Sequence, residues 1–405
     1  MLFKEKKNCC ACGACVQICP KHAISFEPDE SGFLYPIVDE TRCVHCGLCE
    51  KVCSFRRDLS QPRRLAVYAA AAENIDRAQS ASGGVFAGLA AKVIESGGVV
   101  FGSAMQYDGN QITVRHRAVH TLEDLIHLQG SKYVQSAIGD CYCSAREMLE
   151  KGDTVLFSGT PCQIAGLHTF LRKDYANLYT VDIVCHGVPS EKIFQDYLAF
   201  EEHKIGKRIE DFRFRDKSRG WKLFGRMSTA DEQGRVSEVF FEPEESSYYQ
   251  LFLNGYTYRE NCYLCPYAGG YRPGDLTIGD FWGIEVVQPE LLKQNGGPLD
   301  EEKGVSCLIV NTDRGMRLLK SVPEIRLYDS SFEKAKRYNG QLREPSKLKP
   351  ERETALALYR EGYERLEKWY RRRLAIVRIK RGVRRAIPKW VKRGVRKLMG
   401  RHPAG

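Results

Sequence analysis

No apolar run in the chain is long enough to cross a bilayer. The longest uninterrupted one, residues 65–72, spans eight residues, where a membrane helix needs about 20. Residues 1–7 are charged and lack an apolar segment, so no secretory leader is expected. No G-x-G-x-x-G follows a strand-like segment, which argues against an ordinary Rossmann dinucleotide turn. Low-complexity tracts are missing. Acidic residues are missing from one region, 368–401, which holds fifteen Lys/Arg and no Asp/Glu. Removing those fifteen from the formal +11 leaves the rest of the 405-residue chain mildly acidic, at −4.

Cysteine is the opposite case. Sixteen cysteines without a leader argue for a reducing cytoplasm and metal ligation rather than disulfides. Cys9, Cys12, Cys15 and Cys19, followed by Pro20, recur as Cys43, Cys46, Cys49 and Cys53. Both runs read C-x2-C-x2-C-x3-C, the bacterial ferredoxin pattern for two [4Fe–4S] clusters. Three thiolates three residues apart wrap one face of a cubane, and the fourth ligand comes from the other run. The expected sets are Cys9, Cys12, Cys15 and Cys53 for one cluster, and Cys43, Cys46, Cys49 and Cys19 for the other. Cys10 is left spare, since only Cys9 stands at the right step from Cys12. Zinc is the rival, but four-thiolate zinc sites usually come as two separated C-x2-C pairs.

The expected architecture is α+β to α/β. A dicluster ferredoxin-like module (1–57) is followed by a linker at 60–64 and an α/β flavoprotein domain with a β-rich C-terminal part. A basic helical tail (350–405) ends the chain. Apolar periodicity predicts strands at 65–72, 98–104, 111–119, 154–157 and 179–184, and helices at 84–95, 122–128, 143–151 and 161–171. Residues 212–327 read as β-rich and loop-rich, and 351–380 as helical. Further basic helical segments are expected as far as Met399, broken near Gly382 and Pro388.

Four of the remaining thiols stand in unusual loops. Cys162 lies between a strand and a helix in Ser158-Gly159-Thr160-Pro161-Cys162-Gln163. Cys185 follows a strand in Cys185-His186-Gly187, and Cys262 and Cys265 form a C-x2-C beside Pro266. Strand ends in an α/β sheet converge on one edge, where ligand sites form. Three readings are open on spacing alone: a third [4Fe–4S] cluster, a structural zinc, or Cys162 as a low-pKa nucleophile at a helix N-terminus.

Two segments are candidates for a flavin. Ser80, Ser82, Gly83 and Gly84 precede a helix, whose positive end and free N–H groups suit a pyrophosphate; the plain alternative is a turn. Gly130, Ser131, Lys132, Tyr133, Gln135 and Ser136 concentrate a cation, hydroxyls, a phenol and an amide. Lys132 is the candidate partner of the N1/C2=O edge of a reduced flavin, against a solvated surface lysine. His186 is read as a proton donor, a cluster-tuning hydrogen-bond donor, or a satisfied loop histidine. Asp280 either orients a cofactor or caps a turn. Arg213, Arg215, Asp216 and Trp221 either line a pocket or pack. His116, His120 and His127 carry no spacing signal.

Five motifs in order resemble the coenzyme F420 hydrogenase/dehydrogenase beta-subunit family over residues 64–330. They are Ala81-Ser82-Gly83-Gly84, the 130–136 segment, Ser158-Gly159-Thr160-Pro161-Cys162-Gln163, Cys185-His186-Gly187 and Gly279-Asp280-Phe281-Trp282-Gly283. The resemblance implies an N-terminal-like part at 64–145 and a C-terminal-like part at 146–335. It also implies FAD, and a third [4Fe–4S] cluster held by Cys162, Cys185, Cys262 and Cys265. The implied activity passes electrons between clusters and coenzyme F420 or another organic acceptor; the plant chlorophyll-cycle reductases belong to the same group. Reduced ferredoxin or a partner redox protein is the expected electron source. The alternatives are a non-catalytic electron-transfer subunit and an iron–sulfur sensor that binds nucleic acid.

The tail lies outside the resemblance. Leu374, Ile376, Val377 and Ile379 alternate with Arg378, Lys380 and Arg381, a composition suited to an interfacial helix on anionic lipid. A partner-bound or solvated tail is the second reading and nucleic acid the last, since no recognised module accompanies it. The expected location is the cytoplasm, peripheral to the inner membrane face through this tail.

Overall fold

The computed structural model describes residues 2–56, 64–73, 75–108, 111–231 and 233–386. Residues 57–63, most of the expected linker, lie outside the description. So do Pro388 and the expected segments beyond it.

Thirteen strands occur among the described residues: β1 (Ile24–Pro28), β2 (Leu34–Val38), β3 (Ala66–Ala72), β4 (Val99–Asp108), β5 (Gln111–Val119), β6 (Val155–Gly159), β7 (Leu178–Ile183), β8 (Arg208–Arg213), β9 (Gly225–Ala230), β10 (Val236–Phe241), β11 (Leu276–Asp280), β12 (Ser306–Val310) and β13 (Ile325–Asp329). Eight form one mixed sheet in the order β13-β3-β12-β11-β7-β6-β4-β5. β4, β6, β7 and β11 run parallel. β12 is antiparallel to both β11 and β3, so β3 points the same way as the parallel core.

Side-chain alternation gives the sheet two buried faces. Val100, Leu156 and Leu308 pack on one face with the helices Val85–Glu95 and Asp313–Lys320. Phe101 and Phe157 pack on the other with Cys141–Lys151 and Pro161–Leu171, while Cys307 and Ile309 join a neighbouring cluster there. Helices on both faces of a largely parallel sheet make this an α/β core.

The stretch 212–327 divides. β8, β9 and β10 make a separate antiparallel sheet, whereas β11, β12 and β13 enter the main one. The small sheet shares an aromatic core with the helices Glu191–Ile205, Ser247–Leu253 and Glu351–Arg360, through residues such as Phe194, Phe212, Tyr248 and Tyr249. The final helix, Tyr363–Ala386, enters that core through Tyr363 and Leu366, and the Tyr370 hydroxyl donates to the Glu244 carbonyl at 2.9 Å. The break expected near Gly382 does not occur; the helix runs through it. A single interior glycine costs a helix only about 1 kcal/mol relative to alanine.

The N-terminal module is built into the rest. Phe33 and Tyr35 belong to the aromatic core. Gln17 Oε1 accepts from the N–H groups of Tyr142 (3.0 Å) and Cys143 (3.1 Å), capping the helix Cys141–Lys151. Ser190 Oγ donates to the Ser31 carbonyl at 2.7 Å. At Gly166, in the helix Pro161–Leu171, an added Cβ would lie 2.9 Å from the Cys12 sulfur. Glycine is what lets this helix approach the thiol so closely.

The carboxyl edge of the sheet is tied down by a buried ion pair. Arg272 Nη2 meets Asp182 Oδ1 at 2.5 Å, with side chains 1% and 0% exposed, and also donates to the Ile183 carbonyl. Removing one partner strands the other charge out of water. Arg272→Met is expected to lower unfolding free energy by about 3–5 kcal/mol. Chemical denaturation of the variant against the parent checks this, and a loss below about 1 kcal/mol contradicts it.

Candidate functional site

The two N-terminal cysteine runs adopt matching backbones. Ala11 and His45, each just before the second cysteine of its run, have φ of +51°. Gly13 and Gly47 have φ of +83° and +70° and open the short helices Ala14–Gln17 and Leu48–Lys51. Left-handed conformations at non-glycine residues cost about 1–2 kcal/mol, and here they turn amides toward sulfur. The Ala11 N–H donates to Cys9 Sγ at 3.4 Å, and the Ala23 N–H to Cys19 Sγ at 3.4 Å.

Cys9, Cys10, Cys12, Cys15, Cys49 and Cys53 line one cavity of about 40 Å³. Cys19, Cys43, Cys46 and Cys49 line another of about 180 Å³. The sets correspond to the crossed ligand pattern in which each run lends its fourth thiol to the other. Four thiols with inward amides are a donor set that fits a [4Fe–4S] cubane. The second set is the more accessible: Cys46 is exposed, and neighbouring Val44 is 56% exposed.

A third cavity, about 30 Å³, brings together Cys162, Cys185, Cys262 and Cys265. Their loops come from three places. Cys162 stands at the start of the helix that follows β6, whose N-terminus is closed by a capping box of Thr160 and Gln163. Cys185 follows β7. Cys262 is held by its N–H bond to the Arg259 carbonyl at 3.0 Å. In the Cys185 loop, Gly187 has φ of +136°, and a Cβ there would lie 2.4 Å from the Tyr258 ring. The glycine is what allows the two thiol loops to close together.

Cys10, spare on spacing, is buried between the first and third sets, its thiol beside both the Cys12 and Cys162 sulfurs. Those contacts push its pKa well above the usual thiol range, while the same contacts favour the thiolates of Cys12 and Cys162. The Cys10 carbonyl accepts from Gln135 Nε2 at 3.1 Å, and that of Cys9 from Arg259 Nε at 2.8 Å.

Against the third set lies a cavity of about 350 Å³. Cys162 and Cys185 border both. It opens at the carboxyl ends of β3, β6, β7 and β11, the edge where α/β sheets bind ligands. Ser80, Ser82, Gly84, Gly130, Ser131, Lys132, Tyr133, Gln135, Ser136, His186 and Asp280 all line it. Gly83 does not. Its Cβ position is 2.4 Å from the Ala70 carbonyl, so glycine is required there for packing. Gly84, with φ of +81°, opens the helix Val85–Glu95, whose first turn borders the cavity with its positive end.

The polar walls are held firmly. Lys132 Nζ donates to the carbonyls of His127 (3.1 Å) and Gln129 (2.6 Å). Burial, reinforced by Arg213, pulls its pKa down to about 7. Asp280 accepts from Arg215 Nη1 and Trp221 Nε1, both at 2.9 Å, and Trp221 stacks on Trp282 at 5.3 Å. The charge-and-aromatic group foreseen around residue 215 thus braces the wall through Asp280. Tyr133 stacks on Phe252 at 4.3 Å. Burial lowers the pKa of His186, and Asp280 opposes that shift.

Two residues that support these walls carry no signal in the sequence. His116 accepts at Nδ1 from the Ser136 hydroxyl (2.7 Å) and donates from Nε2 to the Ser158 carbonyl (3.0 Å). Burial holds its pKa near about 4, so the ring is neutral. Lys217 reaches the carbonyls of Arg77 (2.9 Å), Lys303 (2.8 Å) and Ser82, stitching the serine turn to the segment before β12. Both come from segments remote in sequence from the motifs they support.

Residues 152–330 match the family described as the C terminus of the coenzyme F420 hydrogenase/dehydrogenase beta subunit, and residues 8–56 match a 4Fe-4S dicluster domain. No curated protein matches. Among solved structures, a chain of the F420-reducing [NiFe] hydrogenase complex from Methanosarcina barkeri is similar at 16% identity. That similarity covers 76% of this chain and 90% of that one, with a TM-score of 0.43. The chain is an iron–sulfur electron-transfer protein whose residues 8–56 are similar to a 4Fe-4S dicluster domain and whose residues 152–330, under half of its length, are similar to the C-terminal region of the coenzyme F420 hydrogenase/dehydrogenase beta subunit.

Proposed function

We propose that this protein is a flavin-dependent iron–sulfur oxidoreductase. Electrons enter at the dicluster module from reduced ferredoxin or a partner redox protein. They pass a third [4Fe–4S] centre held by Cys162, Cys185, Cys262 and Cys265, and reach an organic acceptor such as coenzyme F420. FAD bound in the large cavity would supply the exchange between one-electron and two-electron chemistry. The observation that carries this reading is the continuity of sulfur. Cys10 lines both the cavity of the first set and that of the third, and Cys162 and Cys185 of the third set border the large cavity.

The chain's own residues have separable tasks. The exposed Cys46 side of the second set is where a redox partner gains access. The serine turn and the start of the helix Val85–Glu95 would hold a pyrophosphate. Lys132 would sit against an anionic edge of the isoalloxazine. His186, beside the third set and lining the cavity, is in position to hold or give a proton at the acceptor face.

Anaerobically purified protein is expected to contain about twelve irons, as three cubanes require, and one FAD. Cys265→Ser is expected to lose about four irons while the two N-terminal clusters keep their EPR signals. A parent with about eight irons and one zinc removes the third cluster. A parent without flavin removes the oxidoreductase reading.

Lys132 generates a pH prediction. In the empty cavity it titrates near about 7, below its unfolded value. A bound anion favours the ammonium and raises that pKa. At pH 8, anaerobic binding of reduced FAD, whose N1/C2=O edge is anionic, should therefore take up a proton. Below pH 6 the lysine is already charged and uptake should vanish. Calorimetry in two buffers of different ionisation enthalpy measures this. Lys132→Met should abolish the uptake and weaken flavin retention; unchanged uptake and retention sink the assignment.

The basic segment beyond residue 375 is proposed to attach the protein to anionic membrane, supported by its run of Lys and Arg without any Asp or Glu and by its apolar spacing. A truncation after Ala375 keeps Trp369 and Tyr370 in the core and is expected to abolish co-sedimentation with phosphatidylserine vesicles. Undiminished co-sedimentation contradicts attachment through this segment.

A further inference from the structure

Arg259 is the largest side chain that is fully enclosed, at 0% exposure. It precedes the turn that carries Cys262 and Cys265, yet its side chain reaches the N-terminal module. Its Nε donates to the Cys9 carbonyl at 2.8 Å, and its guanidinium carbon lies 4.1 Å from the centre of the Tyr35 ring. The Cys9 sulfur is within its electrostatic reach. No carboxylate pairs with it among the described residues, and both Nη1 and Nη2 are buried without a hydrogen-bond partner. A buried, unpaired guanidinium with two idle N–H-bearing nitrogens is strongly unfavourable unless an anion stands beside it.

The thiol set next to it provides that anion. A cubane held by four thiolates is anionic, and it gains a further negative charge on reduction. The donor set of Cys9, Cys12, Cys15 and Cys53 fits such a cluster, and its edge at Cys9 lies where Arg259 has unspent donors. We propose that Arg259 is the counter-ion of the first cluster and a positioning residue for its potential. Its fixed charge favours the reduced state, and its Nη groups donate to cluster sulfur, two of the means by which proteins set such potentials. Its chain position gives the arrangement a consequence. The turn that supplies two thiols of the third set also supplies the charge on the first, so the two centres are assembled by one segment. The cation makes the first cluster a better electron acceptor than it would be with a neutral side chain in place of Arg259.

The inference rests on the dicluster domain alone; a protein without flavin, or without the third cluster, leaves it standing. EPR-monitored redox titration of the full-length protein tests it. In Arg259→Gln, the midpoint of one [4Fe–4S] centre should fall while the others stay in place, and Arg259→Lys should recover part of the shift. Loss of about four irons in Arg259→Gln that Arg259→Lys restores supports the same role. Unmoved potentials in both variants at full iron content overturn it. Should neither variant assemble the cluster, the parent grown with 15N-arginine decides the matter. Pulsed EPR of its reduced module should show weak coupling to an arginine nitrogen, and the absence of that coupling overturns the proposal.

Discussion

Cys12 against Gly166 is the contact on which the arrangement depends. A ferredoxin module can be attached to an enzyme by a tether, in which case its clusters approach and depart. Here a helix of the α/β core meets a cluster thiol with no room for a methyl group between them. That approach, held by Gln17 at one helix end and by Gln135 and Arg259 on the carbonyls of Cys10 and Cys9, fixes the relative position of the first and third thiol sets. Electron transfer needs closeness without motion, and dense packing across this junction supplies it.

The sheet does the complementary work on the other side of the third set. β3, β6, β7 and β11 all end at one edge, so loops far apart in sequence arrive at one cavity. Rigid ion pairs brace that edge: Asp182 with Arg272 beneath the thiols, and Asp280 with Arg215 along the wall. Such pairs add little net stability compared with apolar packing but strongly penalise alternative arrangements that separate them. They suit a site whose loops have to hold their positions.

The chemistry was more legible in the sequence than the architecture around it. Ligand spacing reports a cluster directly, because thiols must sit at set intervals to wrap one, and the two N-terminal sets could be read that way. Eleven residues of the loop motifs line the large cavity, and glycines, hydroxyls and a lysine between strand and helix are what made those loops stand out in the sequence. Gly83 packs against the Ala70 carbonyl rather than lining the cavity, and a glycine held by backbone packing looks the same in sequence as one placed at a phosphate. The division of residues 212–327 between two sheets was invisible, because strand propensity does not say which partner a strand will find. Gly382 was overweighted, since neighbouring helix formers carry the helix past it.

Local spacing and turn chemistry alone were enough to pick out the two dicluster cysteine runs, a third group of thiols and the loops of the large cavity. Folding in three dimensions decided what lies beside what. It set Cys10 between two thiol sets, brought His116 and Lys217 to the cavity and its serine turn, and drove the guanidinium of Arg259 into the neighbouring module. Those roles arise from burial and from charges that meet only after distant segments pack, and neither property is written in the order of residues along a chain.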